Sequence, residues 1–141
     1  MSEETLRFEY EIPADDFTRA GEASGSAKKL LKSLGLDPDV IRKVAIAMYE
    51  GEINTVIHAG GGKAILEITS ESVDMTLIDQ GPGIADIDLA MQEGYSTAPD
   101  QVRTLGFGAG MGLPNMKKYT DEMEIQSEVG KGTKVFMRVY L

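Results

Sequence analysis

Four glycines stand at every second position in the run Gly106-Phe-Gly-Ala-Gly-Met-Gly-Leu-Pro-Asn115, and the chain then becomes helix-compatible. Such a segment lets backbone amides approach an anion where side chains would block them. The spacing G-x-G-x-G-x-G lacks the terminal Gly-Lys-Ser/Thr of a P-loop and does not supply G-x-G-x-x-G in register for a dinucleotide fold. A phosphate-holding loop of another architecture is therefore expected; the alternative is a plain turn between packed elements.

The 141 residues, 42% of them hydrophobic, suit one domain spanning 1–141 with a real core. A formal net charge of -9 opposes binding to phosphate backbones, so no nucleic-acid partner is expected. In so acidic a chain a bound nucleotide needs local neutralisation, which points to a divalent cation. The absence of cysteine and the single histidine argue against zinc. No apolar run approaches the length of a membrane span, and Met1-Ser2-Glu3-Glu4-Thr5 is polar and acidic, so the expectation is a cytoplasmic protein without a membrane partner.

Leu6-Arg-Phe-Glu-Tyr-Glu-Ile12 alternates apolar and polar residues and stops at Pro13, as a half-buried strand does. Residues from about Asp15 to Leu34 read as a helix closed by Gly35. Asp37-Pro38 supplies an N-cap and a proline at the first position of a second helix. An apolar stripe of Ile41, Val44, Ala45 and Met48 carries that helix to about His58, where Gly60-Gly61-Gly62 breaks it. Ala64–Thr69 and Val73–Asp79 flank a short Ser-Glu-Ser turn and read as a β-hairpin. The glycine-rich stretch from Gly81 to Gly112 is weakly periodic, and a loop of that length in a small domain is usually functional. A helix to about Tyr119 follows, then strands near Glu122–Glu128 and Lys134–Leu141 joined by Gly130-Lys131-Gly132-Thr133. This order predicts a two-layer α/β sandwich, its mixed, largely antiparallel sheet covered by helices on one face.

On the second helix, Glu50, Asn54 and His58 recur at intervals of four, each interval turning only about 40° round the axis, so they share a face. Glu52 lies roughly 160° from Asn54, so only Glu50 can act together with Asn54. Ala47 and Gly51 fall on the Glu50 side and leave room for a ligand. A carboxamide suits a hydrated magnesium ion, and a carboxylate one turn away can take a proton from an attacking hydroxyl. The alternative is a solvated polar stripe, with His58 placed at the helix end to suit the dipole. Asp79, before Gln80-Gly81-Pro82-Gly83, is either an ordinary turn former or an acceptor for an exocyclic amine such as that of adenine.

Taken in order, Glu50…Asn54, Asp79-x-Gly81-x-Gly83, Gly106-x-Gly-x-Gly110-x-Gly112 and Gly130-x-Gly132-Thr133 resemble the N, G1, G2 and G3 boxes of the GHKL (Bergerat-fold) ATPases. Gly94-Tyr-Ser-Thr97, Gly110-Met-Gly-Leu-Pro114 and Asp121-Glu-Met-Glu-Ile-Gln-Ser127 look like the bacterial anti-sigma regulatory serine/threonine kinases of the RsbT and RsbW type, the RsbT-like ones most. The resemblance runs from Leu30 to the end of the chain. It implies ATP and magnesium as cofactors, Asn54 as the magnesium ligand, Glu50 as catalytic base and Asp79 as receiver of the adenine amine. It further implies that Gly81 and Gly83 line the adenine pocket and that Thr133 supports the adenine end through its hydroxyl. Gly106, Gly108, Gly110 and Gly112, with the neighbouring Met111 and Leu113 amides, would hold the phosphates.

The family phosphorylates a serine or threonine on a STAS-domain antagonist protein, and a sigma factor or a downstream regulatory enzyme is the further partner it implies. RsbW-like relatives dimerise, so a homodimer is allowed. The competing function is a nucleotide-gated binding module that sequesters its partner without turnover. The chain departs from the family in having Tyr49 and Gly51 around Glu50, where a Ser-Glu dipeptide is common, and in the longer lid segment Ala98–Thr104.

Overall fold

The structure is a computed structural model that describes residues 5–13, 19, 21–59, 61–81 and 112–141, with backbone only for 57–59 and 112. Strand β1 (Leu6–Ile12) leads to helices α1 (Glu22–Ser33) and α2 (Pro38–Ala59). The hairpin β2 (Gly62–Ile68) and β3 (Ser72–Asp79) follows, then helix α3 (Gly112–Lys118) and the hairpin β4 (Glu122–Glu128) and β5 (Gly132–Tyr140). The five strands form one sheet in the order β1-β2-β3-β5-β4, and every pairing is antiparallel. The expected two-layer α/β arrangement is thus met. Among the described residues the sheet is antiparallel throughout rather than mixed, because each hairpin pairs with itself and β5 returns beside β3.

Register explains where the core lies. Leu66 faces Met75 and Met75 faces Met137 across the three central strands, flanked by Ala64, Leu77 and Val135 on one side and Ile68, Val73 and Val139 on the other. Side chains alternate along a strand, so these residues share one sheet face, and all of them are buried. The helices cover that face: α2 lies on β2, β3 and β5, with α1 packed beside it over β1 and α3 beside it over β4. Val40, Ile41, Val44, Met48 and Val56 of α2 enter the same core, whereas Ala45 of the expected stripe is only half buried. The opposite face carries charge, with Arg138 held bidentately by Asp74 at 2.8 and 3.0 Å.

The helix boundaries follow local chemistry, with one correction. Asp37 Oδ1 accepts the Asp39 amide at 2.8 Å and Pro38 opens α2, as expected of an N-cap followed by proline. At the end of α1, Gly35 adopts φ 73°, and the Gly35 and Leu36 amides donate to the carbonyls of Lys32 and Leu31, the paired bonds of a Schellman cap. The start of α1 differs from the expected Asp15: the helix begins at Glu22, after Gly21 at φ 100°. A left-handed residue there interrupts helical geometry, whatever the propensity of its neighbours. Asp15–Thr18 lie outside the described residues.

Candidate functional site

Glu50 and Asn54 both sit half-buried on α2, one turn apart as the spacing predicted. Their height above the sheet is set by Gly51. A Cβ there would lie 2.8 Å from Leu77 Cδ2 and 3.3 Å from Met116 Sδ, so β3 and α3 close directly against the helix. This corrects the expectation that Gly51 and Ala47 leave room for a ligand: both are buried, and the space beside Gly51 is filled by Leu77 and Met116. The helical glycine costs about 1 kcal/mol in propensity, and close packing offsets it.

The same closeness recurs one turn on. A Cβ on Gly62 would meet the Ile78 carbonyl oxygen at 2.3 Å, Thr55 Cγ2 at 3.0 Å and Asp79 Cα at 3.3 Å. Thr55 follows Asn54 directly, so the C-terminal half of α2 rests on the start of β2, whose neighbour in the sheet is the end of β3, where Asp79 stands.

Asp79 is gripped by main chain. Its Oδ1 accepts the Gly81 amide at 3.0 Å and the Thr133 amide at 3.1 Å. Register places Asp79 opposite Thr133, and Gly132 makes that approach possible. Gly132 has φ 107°, and a Cβ on it would meet the Asp79 carbonyl oxygen at 2.2 Å. Glycine at this turn is thus a requirement of the contact with β3. The Thr133 hydroxyl is within hydrogen-bond distance of Ser127 Oγ at 2.8 Å, so its side chain also ties β5 to β4. The Gly81 bond is the Asx-turn of an ordinary turn former, and the Thr133 bond adds a donor from β5, so two amides together fix one carboxylate oxygen.

Of the other expected site residues, Gly112 opens α3 and Leu113 is buried in the core, so its side chain packs inward. Gly83, Gly106, Gly108, Gly110 and Met111 lie outside the described residues, as does the His58 side chain. Among the described residues no group of three carboxylate or imidazole side chains converges as a metal cage. A surface groove of about 570 Å³ between α1 and α2, lined by Lys28, Lys32, Leu36 and Arg42 among others, contains none of the candidate residues.

Two residues escaped the sequence reading. Asn115 of α3 donates from Nδ2 to Glu50 Oε1 at 3.3 Å across 65 positions of sequence. Glu52 is 1% exposed, and its carboxylate accepts the amides of Gly21, Ala23 and Ser24 at 2.9, 3.1 and 3.0 Å. It caps the N-terminus of α1 from another helix, satisfying donors that Gly21 has no side chain to meet. The signal was present in the sequence, because Glu52 stands four residues beyond Met48 on the buried stripe, and a carboxylate in a core stripe must find donors. Asn115 left no such signal, since its partner is reached only through packing.

Comparison with known proteins agrees with this geometry. Residues 13–139 match the profile of the histidine kinase-like ATPase domain. The anti-sigma F factor of Clostridium beijerinckii is 32% identical over 148 residues, spanning 98% of this chain and 95% of that protein. Its counterpart in Caldanaerobacter subterraneus is 33% identical over 143 residues, spanning 96% and 92%. Among solved structures, the RsbU and RsbW domains of a Mycobacterium tuberculosis protein superpose with a TM-score of 0.61 at 15% identity, covering 96% of this chain and 31% of that one, a likeness of fold. The chain therefore belongs to the GHKL family of histidine kinase-like ATPase domains and, within it, to the anti-sigma regulatory group.

Proposed function

We propose that the chain is an ATP- and magnesium-dependent protein serine/threonine kinase of a partner-switching system, acting on a Ser or Thr of a STAS-domain antagonist protein. The observation that carries this reading is Glu50: a half-buried carboxylate, one turn from Asn54 and held by Asn115, next to Gly51, where α2 closes on β3 and α3. In the transfer, the acceptor hydroxyl oxygen bonds to the γ-phosphorus as the bond to the β–γ bridging oxygen breaks. ADP leaves with the electron pair, and the hydroxyl proton passes to Glu50. Asp79, its carboxyl group aimed by two amides, receives the exocyclic amine of adenine.

Asn54 offers a neutral oxygen, which suits a magnesium ion that keeps water and phosphate oxygens as its main ligands. When bound, that ion supplies charge neutralisation to the phosphates. Phosphoryl transfer depends mostly on positioning and electrostatics, so a base, a carboxamide and an adenine acceptor are a sufficient set.

The test is incubation of the protein with γ-labelled ATP, magnesium and the STAS-domain protein that co-purifies with it, followed by phosphosite mapping. Label should appear on one Ser or Thr and vanish on chelation of magnesium. A Glu50→Gln variant should lose about 10²- to 10⁴-fold in rate. Undiminished transfer by that variant excludes Glu50 as the base.

The anti-sigma factor names of the relatives favour a second reading, a nucleotide-gated module that sequesters a sigma factor, or activates a downstream protein, without turnover. Pull-downs of the co-purifying partner with ATP, ADP and no nucleotide separate the two readings. Gating requires unequal capture, and the absence of label transfer in the same preparation would leave binding as the function.

A further inference from the structure

We propose that Asn115 is a positioning residue for Glu50, fixing the carboxylate through Oε1 so that Oε2 is presented to the proton it accepts. The proposal rests on the reading of Glu50 as the base. A glutamate side chain on a helix turns about three torsions, and a base that must meet a hydroxyl within hydrogen-bond reach gains from a partner that stills it. Asn115 Nδ2 supplies such a partner at 3.3 Å, on a part-buried contact between helices far apart in sequence.

The contact is held by packing on both sides. Met116, 1% exposed, lies against Gly51, so the neighbouring pair Asn115 and Glu50 is brought together by the same helix crossing that seats Met116. The polar pair and the apolar pair are consecutive on both helices, which makes the register of α3 on α2 the device that delivers the donor.

The chemical type of the donor matters as well. A lysine or arginine at this position would neutralise the carboxylate and weaken it as a base, whereas a carboxamide holds one oxygen and leaves the charge in place. Asn115 also has no charge of its own to draw the γ-phosphate away from its ligands.

The test uses full-length protein labelled with ¹³C at the glutamate carboxyl carbons, the Glu50 signal being the one missing from Glu50→Gln. In Asn115→Leu, which keeps the side-chain shape and removes the donor, the chemical shift of that signal at one fixed neutral pH should move, because Oε1 loses its hydrogen bond. Transfer of label to the co-purifying STAS-domain protein should slow about tenfold in kcat, with ATP affinity by calorimetry within twofold of the parent. Combining Asn115→Leu with Glu50→Gln should add no further loss, because Asn115 acts only through Glu50. Asn115→Asp, which removes the donor and sets a second carboxylate against the first, should also move that signal and serves if the leucine variant fails to fold.

A folded Asn115→Leu or Asn115→Asp protein with kcat unmoved overturns the proposal, as does one whose Glu50 carbon signal stays in place. Full transfer by Glu50→Gln instead overturns the base reading, and the two failures are told apart because the carbon signal of Glu50 does not depend on catalysis.

Discussion

Glu50 and Glu52 are two positions apart on one helix and have opposite fates. Two residues turn the helix through about 200°, so Glu50 meets the cleft beside α3 while Glu52 points into the seam between α2 and α1. There it is a buried carboxylate with three amide donors, a replacement for the capping side chain that Gly21 lacks. Removing it leaves those donors unmet and detaches the start of α1. Glu52→Ala should therefore cost about 2–4 kcal/mol of stability by urea denaturation. Glu52→Gln should cost less, since it keeps one acceptor oxygen. An alanine variant as stable as the parent would remove the cap from the account.

At the scale of elements, the site depends on three close approaches, each licensed by a glycine: α2 onto β3 and α3 at Gly51, the start of β2 beside β3 and against α2 at Gly62, and the β4–β5 turn onto the end of β3 at Gly132. These differ in what blocks a side chain. At Gly51 the obstacles are the flexible ends of Leu77 and Met116, which can shift; at Gly132 the obstacle is the backbone of Asp79 and Gln80, and φ is also positive. Gly132→Ala should accordingly destabilise the fold by about 2 kcal/mol or more. Because it displaces Asp79 from the Thr133 amide, it should also weaken ATP binding in calorimetry, in the folded fraction, more than Gly51→Ala does. Equal ATP affinity in the two variants would show that the turn does not position Asp79.

For the whole molecule, the helices cover one sheet face and ion pairs dress the other, where Arg138 bridges Asp74 and Glu122. Two tyrosines tie stability to alkaline pH. Burial raises the Tyr10 phenol above its ordinary value, and Tyr140 is raised by its hydrogen bond to Glu122. A raised acid stays protonated longer in the folded state, so its contribution is complete below the unfolded value near 10 and is lost as pH climbs through the folded one. Melting temperature should fall above pH 10, and Tyr10→Phe, which cannot ionise, should flatten that fall. An identical alkaline profile in the variant would remove Tyr10 as a contributor. No helix among the described residues is long and apolar enough to cross a membrane.

Much of this was legible from local pattern. Alternation marked β1, runs on either side of short turns marked the four other strands, Asp37-Pro38 and Gly35 marked helix ends, and the interval of four put Glu50 and Asn54 on one face, because periodicity, turns and capping act over a few residues. The order of the glycine-rich boxes identified the family, since backbone approach to phosphate demands glycine wherever the fold places it. What only the tertiary structure decided is who meets whom across the core: Asn115 on Glu50, Glu52 on the start of α1, the Gly132 turn on Asp79, and packing rather than a ligand at Gly51. Those contacts join residues 26 to 65 positions apart, and they follow from the register of packed elements, which no window of sequence contains.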